Sequence, residues 1–133
     1  MNKKTLDEII QRIQEIKFKE KFDMIVAIGR GGIIPACLIN QRFNLPLEIL
    51  VMSYRNDKHE IIHDLPLLLK DVHFEKTGKK ILLVDDVTRT GATIRLAKQI
   101  LSSAKLIKTL VVNGEADYSL YNEKCFKFPW IVT

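Results

Sequence analysis

The stretch that decides the fold is ILLVDDVTRTGAT, residues 81–93. Its four leading aliphatic residues predict a strand that is covered on both faces, as the strands of a parallel sheet are. Asp85 and Asp86 follow directly and must emerge at the end of that strand. The loop after them carries several threonine hydroxyls and Gly91, whose backbone freedom suits a tight turn. The stretch therefore predicts a strand, two carboxylates and a loop that can wrap an anion.

Strand and helix patterns alternate on both sides of this stretch. Apolar runs typical of buried strands occupy residues 24–28, 47–52, 81–84 and 106–112. Apolar residues at helical spacing occupy residues 5–18, 33–43 and 93–103. Thr5 and Glu8 have the spacing of a capping box at the start of the first helix. This alternation predicts an α/β fold, with a mostly parallel twisted sheet flanked by helices.

Composition predicts one domain over residues 1–133, since 47% hydrophobic content fills a single core and the length is short for two. No apolar run approaches the roughly 18 residues of a membrane span, and the start resembles no signal peptide. We therefore expect a cytoplasmic protein without a membrane partner. Cys37 and Cys125 have no CxxC partners, and we expect both to be buried free thiols.

The net charge of +5 suits partners that carry phosphate. Because the basic residues are scattered along the chain, the charge does not distinguish a nucleotide from a nucleic acid.

Two segments fall outside the regular alternation. Residues 53–78 begin with a polar run and contain Pro66, and we expect them to form a flap over a site. Residues 117–133 concentrate aromatic side chains, and we call this segment the hood.

The polar residues predict a site for a phosphorylated sugar. In open α/β sheets, ligands bind beyond the carboxyl ends of the strands. The loop hydroxyls and the free N–H groups of the next helix would hold a phosphate. Asp85 and Asp86 would bind sugar hydroxyls or a Mg²⁺ ion that bridges to the phosphate. A second glycine loop, Gly29-Arg30-Gly31-Gly32, follows another strand and could hold a second anion.

These motifs resemble those of the type I phosphoribosyltransferases. ILLVDDVTRTGAT is similar to the family's motif for phosphoribosyl diphosphate (PRPP), AIGRGGIIPA to its pyrophosphate loop, and MSYRND to the start of the flexible loop in the 6-oxopurine subgroup. The compact bacterial xanthine-guanine type is most similar in size and layout, down to Pro129-Trp130 near the end.

The resemblance implies an enzyme of nucleotide salvage that joins a base, with a purine expected, to PRPP and releases pyrophosphate. It implies that Asp85 and Asp86 bind the ribose and Mg²⁺, and that Ser53 and Tyr54 on the flap close over the site. It implies a homo-oligomer, a dimer or a tetramer. The other binding residues that it implies are Arg30, Gly31 and Gly32 for pyrophosphate, Thr88, Arg89, Thr90, Gly91, Ala92 and Thr93 for the 5′-phosphate, and Asn113, Phe126 or Trp130 for the base.

Three positions around the base depart from the family pattern. Arg89 stands where many 6-oxopurine enzymes have an aspartate that handles a purine proton, and arginine is not a base at physiological pH. A family lysine is replaced by Asn113 or, in a shifted alignment, by Glu115. Ile131 stands where an acidic residue often follows Pro-Trp. The residues for PRPP are thus intact, whereas those for the base are not.

Two further functions fit parts of the sequence. His59-Glu-Ile-Ile-His63 fits the HExxH pattern of zinc proteases, but Pro66 would end such a helix early and no third ligand is evident. A PRPP-binding regulator without efficient catalysis, binding nucleic acid through its basic surface, is the alternative that Arg89 favours.

Overall fold

The computed structural model describes residues 3–53 and 65–132. The helices there are α1 (Leu6–Glu15), α2 (Ile33–Phe43) and α3 (Ala92–Ile100). The strands there are β1 (Met24–Gly29), β2 (Leu47–Ser53), β3 (Leu67–Leu68), β4 (Lys80–Val87), β5 (Leu106–Asn113) and β6 (Tyr118–Tyr121). All seven predicted elements are present, with ends that differ from the prediction by up to three residues. The capping box of Thr5 and Glu8 is formed at the start of α1.

The strands form one sheet in the order β3-β2-β1-β4-β5-β6, which confirms the predicted α/β fold. Neighbouring strands are parallel except for β3, which runs antiparallel to β2. After β1 the chain first adds β2 on one side and later adds β4 on the other. The sheet therefore changes winding direction between β1 and β4, and this is where open α/β sheets bind ligands.

Both faces of the sheet are covered, as the apolar strands require. Ile25, Ala27, Leu82 and Val84 pack beneath α1 and α2, whereas alternate residues of the same strands pack beneath α3. The strand β4 is buried from Ile81 to Asp86. Its two aspartates are thus the carboxyl end of a strand that leaves the core.

Two strands were not predicted. The short strand β3 lies within the segment expected to be a flap, and its residues pair with Met52 and Ser53 at the sheet edge. The strand β6 lies in the hood and is parallel to β5, although only residues 114–117 connect the two. Parallel neighbours usually need a crossover of about a dozen residues or more. Here Asp117 accepts hydrogen bonds from the backbone N–H and the hydroxyl of Thr109, which fixes the short return.

Both cysteines are free, but the expected burial is wrong. Cys37 and Cys125 are exposed. Cys37 is on a solvent-facing position of α2. Cys125 lies in the hood, where the side chain of Arg89 contacts it. Across residues 3–53 and 65–132, no helix is both long and apolar enough to cross a membrane.

Candidate active site

Two acidic side chains close the carboxyl end of β4. Asp85 and Asp86 are each only 8% exposed. The backbone N–H of Asp86 donates to Asp85 Oδ1 at 2.8 Å, and the N–H of Val87 donates to Asp86 Oδ1 at 2.7 Å. Backbone donors therefore hold each carboxylate in one orientation at the lining of the cleft.

The glycine loop after β1 packs directly against these acids. A Cβ atom added to Gly31 would lie 2.5 Å from Asp86 Oδ2, and one added to Gly32 would lie 2.3 Å from the carbonyl oxygen of Val84. A side chain at either position would force its neighbours to move. The Gly29–Arg30 peptide in this loop is cis. The glycines thus let the second predicted anion loop touch the acidic end of β4, and Arg30 lines the same cleft.

The loop after the acids turns into a helix that can receive an anion. Gly91 is the residue before α3 and has a φ of 79°, a left-handed conformation that favours glycine. The N–H of Ala92 donates to Thr90 Oγ1 at 3.3 Å, and Arg95 Nη1 donates to the carbonyl oxygen of Thr90 at 3.0 Å. Residues 88–93 are therefore a folded cradle at a helix N-terminus.

A neighbouring glycine that sequence reasoning missed supports this cradle. Gly114 has a φ of 128°, and a Cβ atom there would lie 2.6 Å from the carbonyl oxygen of Thr88. The N–H of Thr88 donates to the carbonyl oxygen of Asn113 at 3.1 Å. Thr88 Oγ1 is buried and has no hydrogen-bond partner among the residues that the structure describes. A glycine two residues beyond the fourth predicted strand was the signal that could have identified Gly114.

One cleft of about 810 Å³ brings most of the predicted residues together. Those that line it are Arg30, Gly31, Ser53, Asp85, Asp86, Thr88, Arg89, Thr90, Gly91, Ala92, Thr93 and Trp130. Gly32 lies behind the lining, against β4. Tyr54, together with His59 and His63 of the HExxH pattern, falls outside the described residues.

The two aromatic candidates for base stacking have different environments. Trp130 lines the cleft and stacks on Phe128, with ring centroids 5.0 Å apart and planes at 12°. Phe126 is 5% exposed and packs edge-on against Tyr121 and Phe128. Phe126 is therefore a core residue that does not line the cleft, and only Trp130 is placed to meet a base.

Asn113 holds the hood and does not point into the cleft. Its Nδ2 donates to the carbonyl oxygen of Glu123 at 3.1 Å, and its Oδ1 accepts from the N–H of Glu123 at 3.0 Å. Asn113 lines a second cavity of about 510 Å³ on the other side of the cradle. Glu115, the alternative position for the missing lysine, lines this second cavity as well.

Arg89 joins the cradle to the hood. It lines both the cleft and the second cavity, and its Nη2 donates to the sulfur of Cys125 at 2.9 Å. Nothing in the sequence pointed to Cys125 as a partner, because the contact joins two loops that are distant along the chain.

A charged residue near the N-terminus also contacts the hood. Lys4 Nζ lies 2.8 Å from Glu123 Oε1 and above the rings of Tyr121 and Phe126. The hydrogen bond that Lys4 donates to the Glu123 carboxylate raises the pKa of Lys4 above its usual value. The hood segment that carries Cys125 is thus fixed from two sides, by Lys4 and by Asn113.

The comparisons with known proteins agree with this geometry. The family described as phosphoribosyl transferase domain matches residues 2–129. A xanthine-guanine phosphoribosyltransferase of Idiomarina loihiensis is 32% identical over 119 residues, which are 84% of this chain and 72% of that protein. An orotate phosphoribosyltransferase of Sulfurisphaera tokodaii is 35% identical over 113 residues, 81% of this chain and 50% of that protein. The chain thus spans only about half the length of the second relative.

The fold itself has a close counterpart among solved structures. The crystal structure of a purine phosphoribosyltransferase from Pyrococcus horikoshii Ot3 superposes with a TM-score of 0.82 and 24% sequence identity. The superposition covers 99% of this chain and 94% of that one. The similarity in fold therefore extends over nearly the whole of both chains.

Proposed function

This chain belongs to the phosphoribosyl transferase domain family, and from that premise we propose that it is a Mg²⁺-dependent phosphoribosyltransferase of nucleotide salvage. It joins a nitrogenous base, a purine, to the anomeric carbon of PRPP and releases pyrophosphate. It works in the cytoplasm, and it forms a homo-oligomer, as the family resemblance implies for the oligomer.

The observation that carries this proposal is the contact, at the switch point of the sheet, between the glycine loop after β1 and the acid that precedes the cradle. The loop after β1 touches Asp86 at Gly31, and the cradle begins two residues beyond Asp86. PRPP has a phosphate at one end and a pyrophosphate at the other, with two ribose hydroxyls between them. The order of cradle, acids and glycine loop along the cleft matches the order of these groups.

The residues divide the work of the reaction by position. The cradle at residues 88–93 holds the 5′-phosphate through N–H groups and hydroxyls, and Thr88 Oγ1 is a buried oxygen whose hydrogen bond a ligand could supply. Asp85 and Asp86 accept hydrogen bonds from the ribose hydroxyls. Arg30 and the glycine loop bind the departing pyrophosphate, whose charge grows as the bond breaks. Positioning and charge stabilisation are thus the chain's main contributions.

The acids also fit a magnesium ion. Within residues 3–53 and 65–132, no group of three or more acidic, histidine or cysteine side chains could hold a metal alone. Mg²⁺ is usually bound by one or two carboxylates together with substrate phosphates, and Asp85 and Asp86 offer such a donor set. When bound, the ion would neutralise charge on the pyrophosphate.

The base would lie between the cradle and the hood. Trp130 lines this end of the cleft and offers a ring face for stacking. The relatives described above carry names for different bases, xanthine and guanine in one and orotate in the other. The two names thus share phosphoribosyl transfer and differ in the base.

The test is to incubate the protein with PRPP, Mg²⁺ and a panel of purine and pyrimidine bases and to measure pyrophosphate release. We expect release with at least one purine and none when Mg²⁺ is removed with a chelator. Binding of PRPP without release for any base would overturn the enzyme assignment. That result, with salt-sensitive binding of nucleic acid, would instead support the regulatory alternative.

A further inference from the structure

The ionisable side chains of the cleft are unusual for a site that must deprotonate its substrate. Among the described residues that line it, four are ionisable: Arg30, Asp85, Asp86 and Arg89. The two acids are held by backbone donors. Asp86 also lies against Gly31, in the loop proposed to bind pyrophosphate. The described lining of the cleft thus contains no further ionisable group that could accept a proton from a base.

The side chain between the cradle and the hood is instead a permanent cation. Arg89 lines the cleft together with Trp130 and reaches the hood through its bond to Cys125. A guanidinium has five N–H donors and no acceptor, and the sulfur of Cys125 takes one donor. The others are available for acceptor atoms on a ligand.

The charges on the far side of Arg89 come from the second cavity. Its charged lining residues, apart from Arg89, are Glu115, Glu123 and Lys124. Glu123 is paired with Lys4 at 2.8 Å. The acids of the second cavity are thus balanced in part by two lysines, and the positive charge of Arg89 is not cancelled from that side.

From this arrangement we propose that the enzyme selects acidic heterocyclic bases, which bind as anions, and that Arg89 held by Cys125 is the residue that selects them. This inference rests on the proposed phosphoribosyltransferase function and names its substrate class. The base gives its ring proton to water before it binds. The ring nitrogen then uses its electron pair to form the C–N bond while the C–O bond to pyrophosphate breaks and pyrophosphate leaves with that bond's electron pair.

In this role Cys125 is a positioning residue. It does not line the cleft, but its sulfur accepts a hydrogen bond from the guanidinium of Arg89. Its own segment is fixed by the contacts of Glu123 with Lys4 and Asn113. Arg89 is consequently held by the hood while its backbone belongs to the cradle, and in the proposed complex its remaining donors meet the anionic base in the cleft that Arg89 and Trp130 both line.

The test compares guanine with 8-azaguanine, because replacing C8–H by nitrogen acidifies the ring N–H and leaves the oxo and amino groups in place. We expect kcat/KM at neutral pH to be about tenfold higher for 8-azaguanine, since each unit of pKa changes the anion fraction about tenfold. For guanine, kcat/KM should rise with pH as the free base ionises. The Arg89→Asp variant should reverse the preference, gaining turnover with guanine and hypoxanthine because a carboxylate can accept the proton.

The cysteine supplies the matched control. The Cys125→Ala variant should lower the ratio of kcat/KM for the two bases about threefold through a weaker hold on Arg89, and Cys125→Ser should restore it. Equal kcat/KM for guanine and 8-azaguanine, with pyrophosphate released from both, would overturn this inference and leave the proposed function standing. If no base in the panel leads to pyrophosphate release, the proposed function is overturned and this inference with it.

Discussion

The two halves of the cleft are built in different ways. The PRPP half consists of backbone groups and short side chains at the ends of β1 and β4, with glycines where any side chain would collide. The base half consists of longer side chains, Trp130 and Arg89, held by the hood. In the first half a side chain added at Gly31 or Gly32 must displace neighbouring atoms, whereas in the second half an exposed side chain such as Arg89 can be exchanged without such a collision. This difference explains why the sequence matches the family for PRPP and departs from it for the base.

The largest effect should come from Asp86, which lies against the glycine loop at Gly31 and precedes the cradle. We predict that Asp86→Asn weakens Mg²⁺-dependent PRPP binding roughly a hundredfold, because hydrogen bonds to a charged group contribute up to about 3 kcal/mol. Calorimetric titration with PRPP measures this, and circular dichroism checks that the fold is kept. The control is Asp7→Asn, at an exposed acid on α1. An unchanged PRPP affinity in Asp86→Asn would count against the assignment of the PRPP half.

A smaller loss of PRPP affinity should follow when the glycine loop and Asp86 are pushed apart. In Gly31→Ala, the new methyl group would lie 2.5 Å from Asp86 Oδ2, so the loop or the acid must move. We predict that PRPP affinity falls about tenfold and the free energy of unfolding falls by about 1–3 kcal/mol, as for other overpacked sites. Titration with PRPP and urea unfolding measure the two quantities.

The control for this change is Gly78→Ala. Gly78 has a φ of 71° and open space around it, so the substitution strains the backbone without a collision. It should lower stability and leave PRPP affinity alone. If Gly31→Ala behaves in the same way, the contact of the glycine loop with Asp86 is structural only.

The smallest effect on PRPP, and a distinct effect on the base, is expected in the hood. We predict that Trp130→Ala raises KM for the base about tenfold, since stacking of one base on an aromatic ring contributes about 1–3 kcal/mol. Phe126→Ala should instead cost about 3–5 kcal/mol of stability, because that ring is buried in the core. Steady-state kinetics and thermal unfolding of both variants separate the two roles. Equal changes in KM would mean that the hood acts on the base as a whole and not through Trp130.

The sequence predicted the PRPP half well because its determinants are local. A strand, its terminal acids and the following loop are adjacent along the chain, and hydrophobic patterning identifies each of them. The contact between Gly31 and Asp86 could also be expected, since carboxyl ends of parallel strands meet at one edge of the sheet. The glycines were recognised as anion-loop residues, although only the structure shows the collisions that require them.

The base half was harder to predict because its contacts are set by tertiary packing. Phe126 and Trp130 are both aromatic hood residues, and nothing in their spacing shows that one faces the core and the other the cleft. Asn113 was expected to meet the base, but the short return to β6 places Glu123 beside it. The hydrogen bond from Arg89 to Cys125 joins two loops that are distant along the chain. Burial of that cysteine was predicted wrongly because composition alone favours buried thiols.

The short return between β5 and β6 bears on how new specificities arise in such a fold. Most of the base half, from Asn113 through the hood to Trp130, is one continuous stretch of chain, whereas the PRPP half is assembled from strands far apart in sequence. A recombination event that exchanges only this stretch could bring a new base pocket to an inherited catalytic centre. Diversification of the family could thus proceed by replacement of one segment, with Arg89, which lies outside that segment, changing in step.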